Sequence, residues 1–512
     1  MNRWCERVLR IGLLLVALIW MPSATMAEDF FLTIAGGYSP TGNQASLEKN
    51  VLFYQRLLKD QKLDDRPSDI YFADGFSKDL TLQVLDRDSL PPANRLMAEF
   101  FGSERNLGLR YRAHQVPDID GATSVENIDK WFSDNAPRMK AGDRLILYVS
   151  AHGGNSTDSR KPYNTTIYLW NNQKISVAEL SNRLDRLPSG VSVVTFMVQC
   201  HAGGFAKLAN EHGDADADIS KQDRCGFFAT VYSRPAAGCT PEIDEANYEE
   251  YSTYFFAALA GRSRTGQTID LPDYNRDGIV SFDEAHAYTI LSANTIDLPI
   301  KTSDEYLRKV SEFGSGSSKE LLPKDADYDS VLKLANPVDR AVLEGLSQKL
   351  ELSGDNRIAD ARKAGSQRSG SSGRGTRGTS TRRGGRELSE VQKLKQSITN
   401  DVRKRWPDLA NLLNPVSVEL LTTRQKEFVD AIENHKDYPR YRELTDKTTT
   451  QNSSEKSSVK YERFVRVTEN VILTENLKRL GDAKNIESYN RILKAEAGSL
   501  ALPKSGVVPA SN

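Results

Sequence analysis

Arg144-Leu-Ile-Leu-Tyr-Val-Ser-Ala-His152-Gly153-Gly154 and Val191-Ser-Val-Val-Thr-Phe-Met-Val-Gln199-Cys200-His201-Ala202-Gly203-Gly204 decide the reading of this chain. Both are short β-branched and apolar runs closed by glycines, the pattern of central strands in a sheet covered on both faces. Neighbouring parallel strands bring their C-terminal ends to one edge, and in open α/β sheets ligands and chemistry sit at that edge. One run ends on an imidazole and the other on a thiol. A thiol and an imidazole on adjacent strand ends supply the nucleophile and base that covalent acyl transfer requires.

Working outward, residues 29–294 alternate strand and helix signals, which predicts a doubly wound α/β sheet. Phe30 to Ala35 reads as a first strand and Asp69 to Ala73 as a second, with a helix over 46–58 between them carrying Leu47, Val51, Leu52, Tyr54, Leu57 and Leu58. Residues 78–113 show no clear period and read as an irregular insertion. Thr123 and Glu126 have capping-box spacing and open a helix over 125–135. Phe227 to Tyr232 is a further strand and Tyr248 to Leu259 an aromatic-rich helix.

The N-terminus has Arg3, Arg7 and Arg10, an apolar run from Ile11 to Met21 and a small-residue site ending at Ala27. This is the layout of a secretory signal peptide over 1–27, and it predicts export to the periplasm or the extracellular space. No later segment is long and apolar enough to span a bilayer, which takes about 20 residues. Lys plus Arg number 68 and Asp plus Glu 69 in 512 residues, a net charge of −1. That balance gives no global attraction to nucleic acid, and no nucleic-acid partner is expected. Cys5 leaves with the signal peptide, so Cys200, Cys225 and Cys239 remain. Two readings stand open in an oxidising compartment: a Cys225–Cys239 disulfide leaving Cys200 free, or three reduced thiols.

The ordered pair His152-Gly153 and Gln199-Cys200 resembles the superfamily of caspases, metacaspases, legumains and gingipains. Cys200-His201-Ala202-Gly203 is similar to the Cys-His-Ser-Gly of metacaspases. The resemblance covers 28–294 and implies a caspase-like, mostly parallel sheet with helices on both faces. It implies a cysteine endopeptidase in which Cys200 is the nucleophile, His152 the general base and acid, and the Gly153 and Cys200 amides the oxyanion donors. It also implies that an extended peptide or protein substrate pairs with an edge strand over 227–234, with Tyr232, Ser233 and the turn 235–239 near the pocket. The chain departs from the pattern at Ala151, where legumains carry Asp, and at Val198, where metacaspases carry Asp. Glu242, Asp244, Glu245 and Asp74 are either acids of a pocket that favours Arg or Lys, or a solvated loop. His201 adjoins Cys200 in sequence, so its side chain diverges from the thiol.

Asp273-Tyr-Asn275-Arg-Asp277-Gly278-Ile279-Val-Ser281-Phe-Asp-Glu284 matches an EF-hand loop. Asp273, Asn275, Asp277, the Ile279 carbonyl, Ser281 through water and Glu284 make an oxygen set suited to Ca²⁺. The expected order of the chain is a peptidase domain over 28–300, a helical extension over 301–363, an Arg/Gly/Ser-rich flexible linker over 364–386, an all-α C-terminal domain over 387–501 and a disordered tail over 502–512. The linker has six arginines and no acid. With a basic-selective pocket, Arg382-Arg383 becomes a self-processing site. The competing function class is a catalytically inactive, calcium-binding peptide or protein interaction module on the same fold. The partner of the helical domain is not legible.

Overall fold

The computed structural model describes residues 27–104, 107–314, 320–369 and 379–500. The expected signal peptide, with Cys5, and the expected tail over 502–512 lie outside the described residues, apart from Ala27. In chain order the elements of the α/β part are β1 (Asp29–Gly36), α1 (Ala45–Asp60), β2 (Ser68–Phe72), β3 (Leu82–Leu85), α2 (Pro92–Phe101), β4 (Leu109–Arg112), α3 (Val125–Asn135), β5 (Arg144–Gly154), β6 (Thr166–Tyr168), β7 (Lys174–Ser176), α4 (Val177–Leu184), β8 (Ser192–Met197), β9 (Arg224–Phe228), α5 (Tyr251–Ala260), α6 (Phe282–Ser292) and β10 (Ile300–Lys301). The main sheet runs β10-β9-β8-β5-β1-β2. Every pairing from β2 to β9 is parallel, and β10 joins β9 antiparallel. The C-terminal end of β5 continues past the sheet and pairs with the β6–β7 hairpin.

Period-2 alternation sends each central strand's side chains to two apolar layers. Leu145, Leu147 and Val149 join Phe30, Leu32 and Ile34 on one face, under Trp131 and Phe132 of α3 and Leu180 and Leu184 of α4. Ile146 and Tyr148 join Phe31 and Phe196 on the other, under Tyr54 and Leu57 of α1, Phe255 and Phe256 of α5 and Phe282 of α6. Both faces are closed, as the near-continuous apolar runs require.

Residues 78–113 are not irregular. They form the β3–β4 antiparallel pair with α2 between its strands. Ala93, Leu96, Met97 and Phe100 recur at helical spacing and pack on Ile398, Trp406 and Phe428, some 300 residues away. The cap of α3 is Ser124, whose side chain accepts the Asn127 N–H at 3.1 Å. Thr123 Oγ1 instead donates to the Ala73 carbonyl at 3.3 Å.

Beyond β10 the chain is helical: α7 (Thr302–Val310), α8 (Tyr328–Leu334), α9 (Pro337–Lys349), α10 (Arg357–Ser369), α11 (Thr379–Arg405), α12 (Pro415–Leu421), α13 (Gln425–Glu433), α14 (Tyr438–Leu480) and α15 (Ala483–Glu496). The expected linker over 364–386 is helical at both its ends, in α10 and α11; its middle, 370–378, lies outside the described residues. Arg382 and Arg383 fall on α11 rather than on an extended strand. The C-terminal helices share apolar layers with the α/β part. Phe464 and Ile472 of α14 pack with Ala287 and Ile290 of α6, and Leu473 and Leu477 pack with Tyr306 and Leu307 of α7. Among the described residues no helix is long and apolar enough to cross a membrane.

Candidate active site

β5 and β8 run parallel with Arg144 opposite Ser192 and Val149 opposite Met197, a constant offset of 48. The Val198 N–H donates to the Val149 carbonyl at 3.1 Å and carries the ladder past the last strand pair. Continued at the same offset, the register would set His152 opposite Cys200, three residues past the last paired position, Val149 and Met197. Close contact at the next residue agrees: a Cβ on Gly153 would lie 2.1 Å from the Cys200 carbonyl oxygen and 2.7 Å from Gln199 Cγ. The glycine expected to admit a reacting carbonyl is therefore what lets the two strand ends touch.

His152 is held by the loop after β1. Its Nε2–H faces two oxygens, the Gly42 carbonyl at 2.8 Å and Gln44 Oε1 at 3.1 Å. Since both are acceptors, the proton belongs on Nε2 and the lone pair on Nδ1. The loop must be tight to deliver that carbonyl, and a Cβ on Gly37 would lie 2.3 Å from the Gly42 oxygen. Tyr38 sets its ring edge-on to the imidazole with centroids 5.1 Å apart. Burial holds the imidazole below the ordinary histidine value, although the Gly42 contact pulls it upward.

Cys200 is half-buried. The Ala236 N–H donates to Sγ at 3.3 Å. Burial pushes the thiol up from its ordinary value; the Ala236 contact opposes that rise and the Asp297 charge adds to it. The resting pair is thus neutral thiol and neutral imidazole near pH 7, and among the described residues no hydrogen bond joins Sγ to His152.

His201 has a structural post. It sits at φ +62°, where its N–H donates to the Arg234 carbonyl at 2.9 Å and its Nδ1–H to the Tyr232 carbonyl at 2.9 Å. Tyr232 and Ser233 lie beyond the end of β9, not on it. β9 is not an edge strand, because β10 covers its outer side. Tyr232 packs its ring on Tyr163 with centroids 4.4 Å apart, and Ser233 is exposed.

The disulfide reading fails. Cys200, Cys225 and Cys239 are all free thiols. Cys225 points from β9 into the apolar layer beside Val194 and Phe227, whereas Cys239 is exposed in the 233–240 turn, the turn whose Ala236 N–H meets Cys200 Sγ. The acids offered for a basic pocket divide. Asp244 accepts the Ala246 N–H, Asp74 accepts the Thr81 hydroxyl, and Glu245 pairs with Lys49, Arg56 and Arg264 at 3.2–3.4 Å. Glu242 lines a cavity of about 340 Å³ bordered by Ala237, Gly238 and Cys239; the other two acids there are already paired, Glu249 with Lys456 and Glu250 with Arg264.

In the 273–284 loop the oxygens face backbone amides. Asp273 accepts the Asp277 and Gly278 N–H groups, Asp277 accepts that of Ile279, and Glu284 accepts those of Asn275 and Ser281, all within 3.1 Å. Ser281 caps α6 and forms a capping box with Glu284. Among the described residues no group of three or more His, Cys, Asp or Glu side chains is gathered as a metal site. An EF-type set draws on an amide oxygen, a hydroxyl and a carbonyl as well; the Asp273 oxygens and Glu284 Oε1 each accept one N–H, while Glu284 Oε2 accepts both the N–H and the hydroxyl of Ser281 and would have to release one of them to a hard cation.

Gly42, Gln44 and Asp297 were not read from the sequence as site residues, whereas Ala236 lies in the 235–239 turn expected near the pocket. β1 neighbours β5, and the rule that chemistry gathers at the C-terminal edge extends to the Gly36-to-Gln44 turn as it does to His152.

No protein-family model matches the chain, and no curated protein matches it. Among solved structures it is similar to the crystal structure of protein GSU0716 from Geobacter sulfurreducens, a structural genomics target, with 12% identity, 54% of this chain and 92% of that chain covered, and a TM-score of 0.30.

Proposed function

We propose that the chain is an exported cysteine endopeptidase of the caspase-like kind, acting on protein or peptide substrates through Cys200 and His152. The observation that carries this reading is the shared register of β5 and β8, which brings an imidazole with a fixed tautomer and a thiol with an amide donor to one sheet edge. In the proposed reaction Cys200 Sγ attacks the scissile carbonyl carbon while its proton passes to His152 Nδ1. The amine leaves with that proton, and a thioester remains. Water, deprotonated by the same nitrogen, then releases the acid and regenerates the thiol. The Gly153 and Cys200 amides are the oxyanion donors in this proposal. A preference for Arg or Lys before the scissile bond is part of the proposal, with Glu242 at the cavity beside the 236–239 turn as the acid that would carry it, since Glu249 is paired with Lys456 and Glu250 with Arg264.

The test is cleavage of a mixed fluorogenic peptide library by the full chain, with Cys200→Ala alongside. Cleavage lost in the variant supports the reading; no cleavage by the parent with or without Ca²⁺ sinks it. The second reading is a catalytically inactive, calcium-binding interaction module on the same fold. It predicts peptide binding without turnover in the same assay.

Calcium at 273–284 is part of the proposal, with Asp273, Asn275, Asp277, Ile279, Ser281 and Glu284 as ligands and a structural role on the N-terminus of α6. Ca²⁺ raises Tm in the parent and not in Asp273→Asn/Asp277→Asn if the loop binds it. Self-processing at Arg382-Arg383 requires that a turn of α11 first unwind, because peptidases of this kind bind extended chain.

A further inference from the structure

Arg463 of α14 is buried to 1% exposure and donates all five of its N–H groups to one short segment of the α/β part. Nε donates to the Asp297 carbonyl at 2.9 Å, Nη1 to the Ile290 and Ala293 carbonyls at 3.2 and 2.6 Å, and Nη2 to the Thr295 carbonyl and hydroxyl at 3.2 and 2.9 Å. It thereby meets the orphan carbonyls at the C-terminus of α6, where a cation is favoured. The segment it orders presents Asp297, whose Oδ1 accepts the Ala237 N–H at 2.6 Å. Ala237 follows Ala236, whose N–H is the one on Cys200 Sγ. On the other side of the turn, Glu462 pairs with Arg234 at 2.5 Å, and the Arg234 carbonyl accepts the N–H of His201, next to the nucleophile.

Two features set this apart from ordinary docking of a helix. A well-packed apolar side chain would fill the same space without burying a charge. Asp297 is fully buried, yet its Oδ2 has no hydrogen-bond partner among the described residues, an arrangement that costs stability rather than adding to it. The charged and titratable groups about this turn are Asp297 and Arg463, Arg234 with Glu462, Cys239, and Glu242, Tyr248, Glu249 and Glu250 of the bordering cavity. Burial pushes the Asp297 carboxyl up to about 7, with Arg463 and the Ala237 contact opposing.

Resting on the reading of Cys200 as nucleophile, we infer that Arg463 and Asp297 are positioning residues: the C-terminal helix α14 sets the 234–239 turn so that the Ala236 N–H meets Cys200 Sγ. The helical region is then a working part of the site rather than an appended domain. Asp297 has two opposed effects on the thiol, a charge that discourages ionisation and an anchor that holds the amide favouring it.

The experiment measures iodoacetamide alkylation of Cys200 against pH in the full chain, peptide by peptide, with Cys225 as the internal report on folding. Asp297→Asn keeps an acceptor for the Ala237 N–H and removes the charge, so the Cys200 midpoint moves down. Arg463→Met releases the turn, so the midpoint moves up, and Arg463→Lys recovers part of the shift. A half-unit shift changes the rate below the midpoint roughly threefold. An unchanged midpoint in Asp297→Asn, or in a folded Arg463→Met, overturns the inference. If Arg463→Met unfolds, seen as Cys225 alkylating as fast as Cys200, Asp297→Asn alone decides. Shifted midpoints with no peptide cleaved by the parent would leave the positioning intact and remove the peptidase; cleavage with unmoved midpoints would do the reverse.

Discussion

Gly153→Ala is the sharpest single perturbation. The new Cβ would stand 2.1 Å from the Cys200 carbonyl oxygen and 2.7 Å from Gln199 Cγ, against a floor of 3.0 Å for real Cβ contacts. The ends of β5 and β8 must then part by roughly 0.9 Å, the difference between that floor and the built distance. The obstacle is backbone, held by the parallel ladder on one side and by the β6 pairing on the other, so no rotamer change relieves it. Overpacking of this kind costs about 1–3 kcal/mol. A misplacement near 1 Å between reacting groups costs on the order of 100-fold in rate. The assay is kcat/KM on the best library peptide, or Cys200 alkylation rate if turnover is low, paired with urea unfolding. Gly365→Ala is the control. It sits in α10 with 3.6 Å to Glu462 Cγ, an ordinary contact, and should gain about 0.5–1 kcal/mol from helix propensity. Wild-type rate and stability in Gly153→Ala would show that the strand ends are not in contact and would refute the register argument for the dyad.

Three further outcomes are expected. Gln44→Leu removes one of the two acceptors on His152 Nε2–H while the Gly42 carbonyl keeps the tautomer, so kcat falls by about tenfold or less, with KM unchanged; a loss as large as that of His152→Ala would contradict this. Intact mass and Tm should be the same with and without reductant, because Cys225 and Cys239 are unpaired; a two-dalton change on reduction would restore the disulfide. Burial holds His286 well below the ordinary histidine value, with Lys301 and Arg466 adding to the effect and the Tyr251 hydroxyl 2.7 Å from its Nδ1. The unfolded chain takes up that proton below about pH 6.5 and the folded one does not, so stability falls as pH drops from there, by up to about 1.4 kcal/mol per unit from this group. The urea midpoint compared at pH 7.5 and 5.5 checks it, with a flatter slope expected in His286→Asn.

The α/β architecture was legible because its strands are continuous apolar runs that need no distant partner to be recognised. Phe30 to Ala35 and Arg144 to Gly154 are visible as such, and glycines mark where they stop. The stripe Ala93, Leu96, Met97, Phe100 was missed because it is only four positions long and its apolar partners begin at Ile398. β10 escaped because two residues make no period. Arg463 reads as one more cation on a charged helix, and only the carbonyls of 290–297 give it meaning. The Gly/Ser/Arg composition of 364–386 spoke for a linker, yet its two ends continue helices; α10 packs on α14 across Tyr461 and Ala361. In the site, His152 and Cys200 stood out by position, while the groups that tune them, Gly42, Gln44, Ala236 and Asp297, are ordinary residues in loops.

Residues 496–500 fold back onto the α/β part. Glu496 accepts the N–H and hydroxyl of Ser303 at 2.7 and 2.6 Å and stands 3.4 Å from the Lys301 ammonium. The Gly498 carbonyl takes the N–H of Phe282, the first residue of α6, at 2.8 Å, and Leu500 closes the apolar layer that contains Phe31. That layer therefore rests on contacts more than 400 positions apart in sequence, from Phe31 to Leu500, and contacts of such long separation form slowly. The segment 496–500 is thus a clasp across the start of α6, the start of α7 and the sheet layer, and losing it would open that layer at Phe282 and Ser303 together.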